Sequence, residues 1–141
     1  MKRRLSLVLF AVLTLTAIVS FGSQQAMAQS PAGVWNINAN GFTGDLVVTS
    51  YNPANGQILG HVFGNSIFGS WDDNSKRISF VRIIDLFNPS TYQIYTGYLF
   101  TGPKHQYTMA GSFEAFYGTG ATVERPLFGW VASRYGAINL N

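Results

Sequence analysis

The sequence predicts an all-β fold: an antiparallel up-and-down β-barrel of eight strands that follows an N-terminal signal peptide. Three observations lead there. Beyond residue 28, apolar and aromatic residues alternate with polar ones and nowhere recur at helical spacing for three turns. Turn-forming residues interrupt the alternation at intervals of roughly 8 to 15 residues, with connections too short for crossovers. Within the strands a glycine repeatedly stands between two large residues of one face, as in Ile58-x-Gly60-x-Val62, Ile67-x-Gly69-x-Trp71, Tyr95-x-Gly97-x-Leu99 and Met109-x-Gly111-x-Phe113. Alternating small and large inward residues fit the taper of a small barrel, and glycine permits the bending that closure requires. Closure removes the sheet edges that would otherwise invite aggregation.

The leader comes first along the chain. Lys2, Arg3 and Arg4 precede an apolar run over 5–19 broken only by Ser6, Thr14 and Thr16, and Ala26-Met27-Ala28 supplies the small residues that signal peptidase needs. Residues 1–28 are therefore expected to be removed, leaving a single domain over 29–141 that is secreted or periplasmic. The stretch 5–21 is also just long enough to span a bilayer. The Ala-Met-Ala site favours cleavage instead, so no stable membrane insertion is expected afterwards, and no cysteine is present to carry a lipid.

Lys2, Arg3 and Arg4 also account for the whole formal net charge of +3, so the processed chain is neutral. No basic run remains to track phosphates, and nucleic acid is not an expected partner. Without cysteine, stability must come from packing, closure and subunit association rather than from disulfides.

Strands are predicted over 33–38, 44–51, 57–63, 66–71, 77–86, 91–100, 107–116 and 124–134, with Pro126 delaying full pairing of the last. The turns between them are read at Asn40-Gly41, Asn52-Pro53-Ala54-Asn55-Gly56, Gly64-Asn65, Asp72-Asp73-Asn74, Asn88-Pro89, Gly102-Pro103 and Gly118-Thr119-Gly120. A transmembrane barrel needs strands of about 9 to 11 residues. Several of these are shorter, which favours a soluble barrel.

Gly33-Val34-Trp35, opening an eight-strand meander, resembles the Gly-x-Trp start shared by lipocalins and avidins. In those families an arginine near the end of the last strand packs over that tryptophan. Arg134 stands in the matching place, so Trp35 and Arg134 are expected to close one barrel end by a cation–π contact. Gly56-Gln57-Ile58-Leu59-Gly60-His61-Val62, Ile67-Phe68-Gly69, Tyr95-Thr96-Gly97 and Trp130-Val131-Ala132-Ser133-Arg134-Tyr135-Gly136 are similar, in this order, to motifs of the avidin and streptavidin family.

The resemblance implies a calycin-type barrel with a ligand in its mouth, but the family's ligand contacts are largely replaced. Its asparagine falls on Ile37, its tyrosine on Val62, a tryptophan near Leu86 and its terminal Asp/Asn on Ile138. The Ser/Thr pair aligns with Thr91 and Gln93. Each polar group of a buried ureido left unpaired costs about 1–3 kcal/mol, so biotin is not the expected ligand.

No catalytic set is evident. His61 alternates with Gly60 and Val62 and should face outward, and no partner within hydrogen-bond reach is apparent for it or for His105. Neither cysteine nor a His-x-His spacing offers a transition-metal site, and Asp72-Asp73-Asn74 lacks the ligand alternation of a calcium loop. No enzyme activity, cofactor or metal is expected. Arg82 shares a strand face with Ile78, Phe80 and Ile84, and a charge on an apolar face needs a partner. Glu114 and Glu124 are the expected ion-pair partners, with a ligand carboxylate as the alternative.

The aromatic residues carry the functional expectation. Trp35, Val62, Trp71, Thr91, Gln93, Tyr95, Phe113 and Trp130 are the candidate lining of a mouth that takes a small, largely apolar ligand. Phe80 belongs to the same inward aromatic set. The alternative is a filled barrel that self-associates or binds another protein, using outward aromatics such as Tyr92, Tyr98 and Phe116. A cavity of a few hundred Å³ open at one end would favour the first reading.

Overall fold

Eight antiparallel strands close on themselves in a computed structural model that describes residues 30–87, 91–103, 106–117 and 125–135. They are β1 Gly33–Ala39, β2 Phe42–Tyr51, β3 Gln57–Val62, β4 Asn65–Asp72, β5 Arg77–Ile83, β6 Tyr92–Thr101, β7 Gln106–Phe116 and β8 Leu127–Tyr135. Each pairs with the next, and β1 returns to β8 through Ala39↔Trp130, Ile37↔Ala132 and Asn36↔Ser133. The predicted leader and its cleavage site, the Asn88-Pro89 and Gly118-Thr119-Gly120 turns, His105, Glu124 and Ile138 lie outside the described residues.

Alternation places Trp35, Ile37, Leu46, Val48, Ile58, Val62, Ile67, Trp71, Ile78 and Phe80 on the buried inner face, followed on β6 to β8 by Tyr95, Met109, Phe113 and Trp130. Pro126 shortens β8 as expected: pairing begins at Leu127, and the Pro126 carbonyl accepts from the Ala115 N–H at 3.3 Å. Strand ends shift by one to three residues from the sequence reading, and two of the shifts shape the Arg82 end. β5 stops at Ile83 instead of running to 86, because Asp85 turns the chain by accepting from the Phe87 N–H at 2.8 Å, leaving Leu86 and Phe87 exposed.

The second difference concerns the turn between β3 and β4. It is made by Phe63-Gly64, at φ 51° and 80°, and not by Gly64-Asn65. Two-residue hairpins that match strand twist need positive φ at both central residues. Asn65 is thereby released into β4, on the same face as Ile67.

A meander alternates its turns between two ends, and an arginine sits at each. At the end where β1 begins, the Arg134 guanidinium lies 4.0 Å from the Trp35 ring centroid and 5.9 Å from that of Tyr107, and donates to the Ala32 carbonyl. The Trp35 indole N–H donates to the Pro31 carbonyl at 2.9 Å. The expected Trp35–Arg134 closure is present. Burial draws the Arg134 pKa below its ordinary value, opposed by Tyr107. Arg134→Met should lower stability by about 2 kcal/mol, read in a thermal melt as a fall of roughly 10 °C. Arg134→Lys should recover less than half of this, since an ammonium lacks the flat face that stacks.

Candidate functional site

Four rings from successive strands form a ladder inside the barrel, because Phe80, Tyr95, Phe113 and Phe128 are in register. Phe80 stacks on Tyr95 at 4.7 Å, Tyr95 on Phe113 at 4.6 Å, and Phe113 tilts against Phe128 at 5.2 Å. Trp130 meets Phe80 and Tyr95 edge-on at 6.1 and 6.0 Å. Offset and edge-on contacts of this kind each add about 0.5–1.5 kcal/mol beyond burial. The rings touch one another, so this part of the interior is occupied by the protein's own side chains.

The candidate lining residues do not converge on one pocket. Tyr95, Phe113 and Trp130 are brought together in the ladder and its edge. Gln93 lies in the neighbouring register row, between Arg82 and Ala115, with Val62 and Thr91 at the same end of the barrel. Trp35 and Trp71 lie towards the opposite end, where the Trp71 indole N–H reaches Asp73 at 3.3 Å in the β4–β5 turn. That turn is built from Asp72, which accepts from the Asn74 N–H at 2.9 Å, and from a 2.7 Å Asp73–Lys76 ion pair. A side-chain hydrogen bond from Ser75 leads the causes that lower the Asp72 pKa, and one from Lys76 leads for Asp73. Among the described residues, no group of three or more acidic or histidine side chains is arranged to hold a metal ion.

Arg82 is the residue whose surroundings the sequence did not disclose. Among the described residues no carboxylate pairs with it: Glu114 sits on the outer face opposite Ile94 and Leu127, and Glu124 is outside the described residues. Neutral amides take its place. Arg82 Nε and one terminal nitrogen donate to Asn65 Oδ1 at 3.0 and 2.6 Å, and the other terminal nitrogen donates to Gln93 Oε1 at 3.1 Å. The Tyr95 hydroxyl donates to the same Gln93 oxygen at 2.9 Å, and the Phe63 ring lies 5.0 Å beneath the guanidinium. Burial raises the Tyr95 pKa, with the Arg82 charge opposing. Asn65 could have been found as an inward residue by counting back two from Ile67, and Phe128 by counting back two from Trp130.

Two surface concavities stand out. One, of about 240 Å³, lies at the Arg82 end between Gly64, Asn65, Ser66 and the segment from Ile83 to Phe87. The other, of about 450 Å³, is a groove on the outer wall lined by Phe68, Val81, Ile83, Asp85, Leu86 and Tyr92. It adjoins an apolar row, because Leu59, Phe68, Val81 and Ile94 are in register across β3 to β6 with their side chains outward. Of the outward aromatics, Tyr98 is exposed. Phe116 is not: it stacks on Tyr92 at 4.5 Å with the Arg125 guanidinium 5.0 Å from its ring.

No protein-family model matches the chain, and no curated protein matches it significantly.

Proposed function

We propose that this is an exported, non-enzymatic barrel that works through its outer wall and associates there with a second copy of itself. The observation that carries this reading is the apolar row Leu59–Phe68–Val81–Ile94, which crosses four strands without a charge while stacked rings occupy part of the interior. Leu59 and Phe68 keep 44% and 49% of their surface exposed, and Leu86 beside them keeps 75%. Soluble monomers rarely leave contiguous apolar area of this kind on a sheet.

A second copy suits the face because sheets pack face to face about 10 Å apart by interdigitating their outward side chains. A two-fold axis lets one patch complement itself. Four strands about 4.8 Å apart and about six residues long cover on the order of 400 Å² in projection. The corrugated accessible area is larger, and Leu86 and Phe87 extend it toward the roughly 800 Å² per partner of a standard interface. Asp85, His61 and Ser66 supply a polar rim.

The avidin-like motif order supports a calycin-type architecture for the closed barrel. It does not extend to biotin, since Ile37 and Val62, which replace two polar contacts, are fully buried core residues.

Light scattering on the size-fractionated protein should report a dimer or a multiple of it. Phe68→Asp should raise the dissociation constant about thirtyfold or more, as expected for a hot spot of about 2 kcal/mol. Its thermal midpoint, measured below the dissociation constant, should stay near that of the wild-type monomer because the side chain points outward. A wild-type chain that stays monomeric up to about 100 μM, weaker than most specific associations, would refute the reading.

A further inference from the structure

We propose that the Arg82 end of the barrel binds a small monocarboxylate with an apolar body. A guanidinium presents five N–H donors in a fixed plane. Three hydrogen bonds are made here, two to Asn65 and one to Gln93, which leaves two N–H groups without an acceptor among the described residues. More telling is the choice of acceptors. Aspartate at 65 or glutamate at 93 would offer an oxygen of nearly the same shape together with the missing negative charge. Amides hold the guanidinium in place and leave its charge uncompensated among the described residues, which suits a carboxylate arriving from solution.

The support beneath the guanidinium is built at a cost. Phe63 holds φ at 51°, a region that bulky residues avoid, and strain of this kind amounts to about 1–3 kcal/mol. The conformation places its ring under Arg82, and Gly44 makes room for it: a Cβ there would lie 2.7 Å from the ring. Tyr95 and Gln93 fix the opposite side, so the guanidinium plane is set before any ligand arrives.

Asn65 is also a wall of the 240 Å³ concavity, whose other walls include the apolar side chains of Ile83, Ile84, Leu86 and Phe87. That volume suits a molecule about the size of benzoate. Asp85 lines it as well, and one of its carboxylate oxygens accepts from the Phe87 N–H. A ligand with a second anionic group remote from the first would meet Asp85, and inorganic phosphate lacks the apolar body that the Ile83, Ile84, Leu86 and Phe87 walls suit.

The test is a titration of the purified protein with benzoate, benzamide and inorganic phosphate, followed by ¹H–¹⁵N NMR including the Arg82 Nε–H. It is repeated in the Phe68→Asp variant so that a second copy covering Leu86 does not interfere. Saturable shifts at Arg82 Nε–H and Asn65 with benzoate, and affinity lower by about tenfold or more for benzamide and phosphate, are the expected result. Asn65→Asp keeps the acceptor geometry and supplies an internal carboxylate. It should remain folded with an undiminished melting temperature and lose benzoate binding, which separates loss of the site from loss of the fold. Arg82→Met should lose binding too. Equal affinity for benzoate and benzamide, equal affinity for phosphate, unchanged binding in Asn65→Asp, or no saturation up to about 10 mM benzoate would each overturn the proposal.

Discussion

Gly111→Ala is expected to destabilise the barrel by about 3 kcal/mol or more. A Cβ on Gly111 would lie 1.9 Å from the Thr96 carbonyl oxygen and 2.5 Å from the Gly97 Cα. Both are main-chain atoms of β6, so no rotamer change relieves the contact. β6 would have to move away from β7, to which it is paired along its whole length. The same close approach recurs at Gly60 and Gly69, where a Cβ would meet the Val47 and Ser79 carbonyls at 1.9 and 2.0 Å. Gly41 is the control. Nothing lies within 4 Å of a Cβ there, but its φ is 87°, so alanine should cost only the roughly 1–2 kcal/mol of a left-handed backbone. Denaturant titrations of the two variants should therefore separate clearly. A loss at Gly111 no greater than at Gly41 would mean that the strands of the barrel are not held this tightly.

The glycines also explain why the architecture was legible. A large-x-Gly-x-large pattern states two things at once, the inward face and the place where neighbouring strands crowd together, and four such patterns mark β3, β4, β6 and β7. Strand ends were harder to read. Ile84, Asp85 and Leu86 continue the composition of β5, and only the local hydrogen bond from Phe87 to Asp85 ends the strand early. The β3–β4 turn shifted by one residue because Phe63 adopts a positive φ that its side chain disfavours. Composition cannot announce a residue held against its own preference.

That one-residue shift hid the Arg82 cluster. With Asn65 read as a turn residue, its amide is not offered to Arg82, and an ion pair with Glu114 or Glu124 is the natural expectation. In the barrel, Asn65 faces inward and stands near Arg82, because Ile67 pairs with Arg82 one step along the same face. The aromatic residues illustrate a different limit. Alternation identifies Phe80, Tyr95, Phe113 and Trp130 as inward. Whether inward rings surround a space or fill it depends on the register between strands, and that is fixed by pairing across the sheet rather than by any local pattern. Register aligned Phe80, Tyr95, Phe113 and Phe128 into one contacting ladder and sent Trp35 and Trp71 towards the other end.

Trp130→Ala tests that ladder at its edge, with an expected loss of about 4 kcal/mol. The indole is buried and packs edge-on to Phe80 and Tyr95, and its N–H is shared between the Thr96 and Ser112 carbonyls at 3.2 Å each. It lies across the register row Trp130–Gly111–Gly97, where a Cβ on Gly97 would come within 2.5 Å of the ring. Gly97 thus leaves room for the indole, and truncation opens a void that it cannot fill. Trp130→Phe keeps a ring but loses the shared hydrogen bond, and should cost about 1–2 kcal/mol. The sharper measurement is a double-mutant cycle with Gly97→Ala. Alone, that substitution meets both the indole and the Ala110 carbonyl, the latter at 2.7 Å. In the Trp130→Ala background only the carbonyl remains, and the new methyl occupies part of the void. The double variant should therefore be more stable than the sum of the single losses predicts, by about 1 kcal/mol or more. Simple additivity would mean that the indole does not lie against Gly97, and that the bore is less completely filled than the ring contacts require.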